Sequence, residues 1–133
     1  MEVKIDTKEK FYVITLIGPT LSANLAAELT NTFTNILAEP VKNVVLNLSE
    51  TTQIDDIAAE QLARIQQTFY EKNASFVICD VLPGVEQKLD ELGLLEIMNI
   101  TPTESEAWDI VQMEEIEREL MDDADGVFPA TND

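Results

Sequence analysis

Apolar and polar residues alternate at the amino terminus, where Met1, Val3 and Ile5 interleave with Glu2, Lys4 and Asp6. A period of two predicts a strand with one buried face. Thr7 to Lys10 form a polar turn, and the β-formers of Phe11 to Ile17 predict a second strand paired with the first as a hairpin. Gly18-Pro19 ends it. From Leu21 the period lengthens. Leu25, Leu29, Phe33 and Ile36/Leu37 fall on one helical face, with Ser22 as N-cap and Pro40 as the stop. Val44 to Leu48 is a short continuous apolar run, the signature of a strand buried on both faces.

The alternation of strand and helix then repeats. Ala58, Leu62, Ile65 and Phe69 mark a second helix, and Ser75 to Cys79 a second buried strand. Pro83 opens a third helix with Val85, Leu89 and Leu92 inward, and Gly93 is its C′ stop. Glu96 to Ile100 predicts a weak final strand. Thr103-Glu104-Ser105-Glu106 fits a capping box and opens a last helix carrying Ala107, Ile110/Val111, Met113, Ile116 and Leu120. The order β-β-α-β-α-β-α-β-α predicts an α/β domain, a mixed, mostly parallel sheet of about five strands with flanking helices and one antiparallel edge. Residues 1–112 make up this domain, 113–121 extend its last helix, and 122–133 form an acidic tail expected to be disordered.

Charge narrows the function. The 133 residues hold 8 basic and 26 acidic side chains, a net of -18. Such a surface repels phosphate backbones and anionic lipid, so neither nucleic acid nor membrane is an expected partner. More than half of the imbalance sits at one end: residues 104–133 carry 11 acidic and 1 basic side chain. Histidine is absent, which removes the usual general base and the usual metal ligand. Cys79 is alone, reads as a small buried hydrophobe, and leaves no internal disulfide. With no apolar leader-like run at the amino terminus, a cytoplasmic setting is expected.

The informative stretch is Val44 to Leu62. It resembles the STAS domain of bacterial anti-sigma factor antagonists, in which a strand of type V-V-L-D-L-S is followed at fixed spacing by an apolar residue and D-S-S-G. Val44-Val45-Leu46-Asn47-Leu48-Ser49 runs without a gap to Ile54-Asp55-Asp56-Ile57-Ala58 in that register. The element order to about residue 112 is similar as well, as are Pro83-Gly84-Val85 and the opening of the last helix. In that family the second serine of the motif is phosphorylated by the partner anti-sigma factor, a kinase, and phosphorylation breaks the complex. That serine falls on Ile57, the first serine on Asp56, the glycine on Ala58 and the strand Asp on Asn47; Asp55 alone matches the motif outright. Ile57 is thus the phosphosite equivalent without a hydroxyl to phosphorylate.

The resemblance implies a non-enzymatic regulatory module that sequesters an anti-sigma factor or a related switch kinase. The implied partner surface is Glu50, Thr51, Thr52, Gln53, Asp55, Asp56, Ile57, Ala58, Glu60, Gln61 and Arg64. Several have a simpler reading beside this one. Asp55 and Asp56 suit a helix amino terminus, whose free N–H groups and dipole favour carboxylates by roughly 0.5–2 kcal/mol. Ser49, Thr51 and Thr52, alternative phosphoacceptors by their hydroxyls, suit a turn. Asp55, Asp56 and Glu60 offer oxygen ligands to Mg²⁺, but no glycine-rich phosphate loop accompanies them, and no cofactor, metal or catalysis is expected. Trp108 and the stripe of Met113, Ile116, Leu120 and Met121 are expected to pack on their own domain. Self-association through the last helix, a scaffold role, and a small-ligand or lipid-transport accessory role stay open as alternatives.

Overall fold

The computed structural model describes the backbone of residues 2–131 and side chains through Met121. Strands β1 (Glu2–Thr7) and β2 (Phe11–Ile17) form the expected antiparallel hairpin, Val3 facing Leu16 and Ile5 facing Ile14. Helix α1 (Ala23–Ile36) leads to β4 (Asn43–Asn47), α2 (Asp56–Glu71) to β6 (Phe76–Cys79), and α3 (Pro83–Glu91) to β7 (Ile100–Thr101). The five-stranded sheet has the order β1-β2-β4-β6-β7, and every pair after the hairpin is parallel. Helix α4 (Glu104–Thr131) closes the chain. Side chains of residues 122–133, where the sequence predicts a disordered tail, lie outside the described residues.

Four expectations need correction. Two further short strands, β3 (Thr20–Leu21) and β5 (Gln53–Ile54), pair in parallel as a separate ribbon. Two residues are too few to show a period, which is why the sequence pattern misses them. The final strand is Ile100–Thr101 and not Glu96 to Ile100: Ile97 and Met98 both donate their N–H to the Leu94 carbonyl, so that stretch is a turn. On β1 only Val3 packs on the core. Ile5 is exposed because β1 is the sheet edge with no layer above it at that end. The stripe on α4 also fails to dock, for a reason given below.

The sheet has a core on each face. Tyr12, Ile14, Leu16, Val44, Leu46, Phe76 and Ile78 point to one side, where they meet Leu29, Phe33, Leu62, Ile65 and Phe69 of α1 and α2. Phe33, Phe69 and Phe76 stack edge to face with centroids 4.9, 5.0 and 6.3 Å apart, each such pair adding about 0.5–1.5 kcal/mol beyond area burial. Phe11, Val13, Val45, Val77 and Cys79 alternate to the other side, where Ala107 and Val111 of α4 cover them. Trp108 packs edge-on against Phe11 at 5.4 Å with Lys8 Nζ over its ring, as its packing role predicts. Burial, then the nearby Asp80 and Glu104 charges, push the Cys79 thiol up to about 12, so it stays a thiol at neutral pH.

Helix α4 is held by more than apolar contact. Strand β4 begins and ends in a buried asparagine. Asn43 accepts the Ser75 N–H at 2.8 Å, and its amide donates to the Lys10 carbonyl and to Glu115 of α4. Arg118, one turn on, donates to Asn43, Ser75 and Glu115. Glu114 accepts from Tyr70 at 2.9 Å and Ser75 at 2.6 Å. At the other end Asn47 accepts the Ser49 N–H at 2.8 Å and donates from Nδ2 to both Asp80 (3.0 Å) and Glu104 (2.9 Å). The docked face of α4 is therefore Ala107, Val111, Glu114 and Arg118, at spacings of 4, 3 and 4. Met113, Ile116 and Leu120 fall on the opposite side, which is why that stripe does not dock.

Two predictions follow from this clamp. The Asn43 amide, then Arg118 and Lys10, hold the Glu115 carboxyl below the ordinary Glu value against the opposing effect of burial. A depressed folded-state value means stability present above the unfolded value, about 4.3, and lost as pH falls through the folded one. Urea titrations between about pH 5 and pH 3 will show a shallower acid decline for Glu115→Gln than for the parent. Asn47→Asp sets a third carboxylate between Asp80 and Glu104. It will cost about 2–3 kcal/mol at neutral pH, and the deficit will shrink on acidification, because the shared proton has a raised value in the folded state.

Candidate functional site

The stretch Leu48 to Arg64 is a turn, a two-residue strand and the start of α2, laid over the segment that precedes α1. Thr51 N–H closes the turn on the Leu48 carbonyl. Thr52 and Gln53 donate their N–H groups to the Pro19 carbonyl at 2.8 and 3.0 Å, and the Thr52 hydroxyl donates there too. Asp55 N–H continues the ladder to Leu21. Gly84, near the start of α3, presses on this loop: a Cβ there would lie 2.6 Å from the Thr52 carbonyl oxygen. Only glycine lets α3 sit this close.

Asp55 does two jobs with one carboxylate. As N-cap of α2 it accepts the Ala58 N–H at 2.8 Å on Oδ1. Its Oδ2 accepts the Ala23 N–H at 2.9 Å, in the first turn of α1. Both helices thus direct free N–H groups and the positive end of their dipoles at one anion. Ser22 caps α1 as expected, accepting from Leu25 N–H at 3.3 Å. Asp56 lies just inside α2 and pairs with Lys88 of α3 at 2.8 Å. The hydrogen bond to Asp56 and its charge raise the Lys88 ammonium above its ordinary value.

The structure divides the eleven sequence-predicted residues. Ile57, Glu60, Gln61 and Arg64 share one face of α2, and Ile57 is 56% exposed. Glu50, Thr52, Gln53, Asp55 and Asp56 are exposed alongside. Thr51 and Ala58 are fully buried and present no side chain to a partner. Ala58 faces the core because its position on α2 is the first of the inward stripe. Thr51 is turned in by the Leu48 turn, and its hydroxyl and the Gln61 Oε1 are buried polar atoms without a partner among the described residues.

Sequence reasoning missed three contributors. Lys88 and Gly84 belong to α3, whose distance in sequence hides their contact with residues 52 and 56. The third is an open groove of about 680 Å³ along the far flank of α2, between Glu60, Arg64 and Gln67 and the turn carrying Leu94 and Ile97. Ile97 is 73% exposed there. The metal reading of Asp55, Asp56 and Glu60 fails on geometry: Asp55 is spent on backbone N–H groups and Asp56 on Lys88. The acidic groups that do converge are Asp80 and Glu104 beside Cys79, with ligand atoms within 4.8 Å of one another. Asn47 already donates a hydrogen bond to each carboxylate of that set.

Asp55→Ala will cost about 2 kcal/mol in urea unfolding, since it leaves a donor at each of two helix starts without its acceptor. Asp55→Asn keeps a single carbonyl oxygen and will recover about half of that loss.

The family model of the STAS domain matches residues 2–107. No curated protein sequence matches the chain. Several solved structures share the fold. An anti-sigma factor antagonist from Mycobacterium paratuberculosis is 16% identical over 84% of this chain and 93% of its own, with a TM-score of 0.71. RsbS of Moorella thermoacetica is 19% identical over 89% and 99%, with a TM-score of 0.70. The anti-sigma factor antagonist SpoIIAA of Bacillus, in its unphosphorylated form, is 18% identical over 84% and 96%, with a TM-score of 0.67. The match covers the sheet, α1 to α3 and the first turn of α4, and the D-S-S-G register sits at the doubly held start of α2: this chain belongs to the STAS domain family.

Proposed function

We propose that the chain is a non-enzymatic protein-binding module of the anti-sigma factor antagonist kind. In this reading it binds an anti-sigma factor or a related switch kinase through the start of α2 and thereby keeps that partner from its own target. The observation that carries the reading is Ile57. It is a large apolar side chain held in solvent at the position of the family's regulated serine, on a base made rigid by Asp55. An exposed apolar residue ringed by Asp56, Glu60, Gln61 and Arg64 is the composition of a small interface centre with a polar rim. The rim is acidic on balance, which calls for a partner with a basic face.

The same residue changes how the complex is released. A phosphoserine at a helix start would bring about -1.5 to -2 charges to this face. Ile57 has no oxygen to accept a phosphoryl group, so release by modification at position 57 is chemically closed. The complex is then constitutive, or its release needs another input. Among the described residues no helix is long and apolar enough to cross a membrane, in keeping with a cytoplasmic setting for this role.

A second reading is an assembly subunit that docks through α4, and the exposed Met113, Ile116 and Leu120 favour it. Removing residues 113–133 does not separate the two readings, because it also removes Glu114, Glu115 and Arg118 from the clamp. Surface substitutions do. Reversing Asp56 to Lys is ambiguous as well, since it breaks the Lys88 pair. Ile57→Glu touches neither. Proteins retained on the immobilised chain from its native cell extract are identified by mass spectrometry, and the one retained most strongly is purified. Its affinity for Ile57→Glu will fall at least tenfold, with circular dichroism unchanged. Equal affinity for both forms would remove α2 from the interface.

A further inference from the structure

We propose that the outer face of α4 receives an amphipathic helix of another protein, one whose apolar stripe is flanked by Lys and Arg. The inner face of α4 is fully engaged, as Ala107 and Val111 are buried and Glu114 and Arg118 are hydrogen-bonded into the domain. At about 100° per residue, Met113, Ile116 and Leu120 lie within about 60° of one another and on the opposite side of the helix. They are 60%, 54% and 61% exposed. Spacings of 3 and 4 give the seam of a two-helix contact, not isolated surface residues. Next to the seam, Ile116 and Trp108 line a shallow groove of about 330 Å³ together with Lys8, Lys10 and Glu119.

Charge selects the occupant. Residues 104–121 hold seven carboxylates and a single arginine, Arg118, which is turned inward to Asn43, Ser75 and Glu115. Asp109 stands one turn before Met113 in line with the seam, and Glu106 and Glu117 border it on one side. On the other, Glu119 pairs with Lys10, and Lys8 lies over the Trp108 ring. An antiparallel second copy of this chain would set the Glu106 and Glu117 flanks against each other, carboxylate against carboxylate, and an anionic bilayer would meet the same repulsion. A helix with Lys and Arg at its flanking positions turns these charges into interhelical pairs. The proposal is independent of the α2 face, because α4 and α2 cover opposite faces of the sheet.

The test uses the full chain and two synthetic helical peptides of about three heptads, both with Leu at the seam positions and either Lys or Glu flanking. Titration calorimetry is expected to show binding of the Lys peptide, at least tenfold weaker binding to the Ile116→Gln/Leu120→Gln variant, and none of the Glu peptide. Light scattering is expected to show a monomeric parent. Circular dichroism checks that both substitutions, which lie in solvent, leave the fold intact. Undiminished binding of the Lys peptide by the double variant would reduce the effect to net charge and overturn the proposal. So would equal binding of the Glu peptide, a parent dimer that the double variant dissolves, or parent adsorption to anionic vesicles that the double variant abolishes.

Discussion

A neutral amide placed among carboxylates holds this domain together. Strand β4 lies in the middle of the sheet and is buried along its whole length, so its polar ends must find partners inside the protein. Asn43 and Asn47 are those ends. Each accepts one backbone N–H and donates to a glutamate of α4, Glu115 at one end and Glu104 at the other. Four strand residues span about 13 Å and eleven helical residues about 16 Å. The helix is therefore fastened at two points across the strand it covers. Without α4 the face formed by Phe11, Val13, Val45, Val77 and Cys79 would be open to water.

An amide suits this position because it can do what no charged group can. It donates and accepts at once and adds no charge to a protein that already carries -18. The family's strand pattern has an aspartate where this chain has Asn47. With Asp80 and Glu104 within hydrogen-bond reach, an aspartate would be the third carboxylate in one small volume. The substitution and its neighbours therefore belong together. The same logic explains Arg118, the one cation of the last thirty residues, which is drawn inward among Asn43, Ser75 and Glu115. Of the eight cations, Lys8, Lys10, Lys88 and Arg118 are drawn into contacts within the domain.

The periodic elements were legible in the sequence because period is a local property. The two buried strands, the inward faces of α1 and α2, the Ser22 cap, and Pro83 and Gly93 at the ends of α3 all follow from spacing alone. What was not legible depends on contacts between distant segments. The ribbon of β3 and β5 is two residues long on each side and exists because the Pro19 and Leu21 carbonyls meet the backbone of residues 52–55. The α4 stripe was misassigned because two apolar series run along one helix, and the buried series is completed by Glu114 and Arg118, which read as surface residues. Thr51 and Ala58 illustrate the same limit at the site: a motif register assigns positions to a surface, but only the turn at Leu48 and the helix phase decide which side chains face outward.

The start of α2 is built from two separate pieces of chain. Residues 50–55 are shaped by Pro19, Leu21 and Ala23, some thirty residues earlier, and are braced from beneath by Gly84 of α3. As an epitope it is discontinuous. A linear peptide copied from residues 50–64 would lose the Ala23 bond and the Pro19 ladder, and with them the angle at which Ile57 is presented. An antibody or inhibitor aimed at this surface must be raised against the folded domain, and a sequence search for the surface in other proteins must score residues 19–23, 50–64 and 84–88 together.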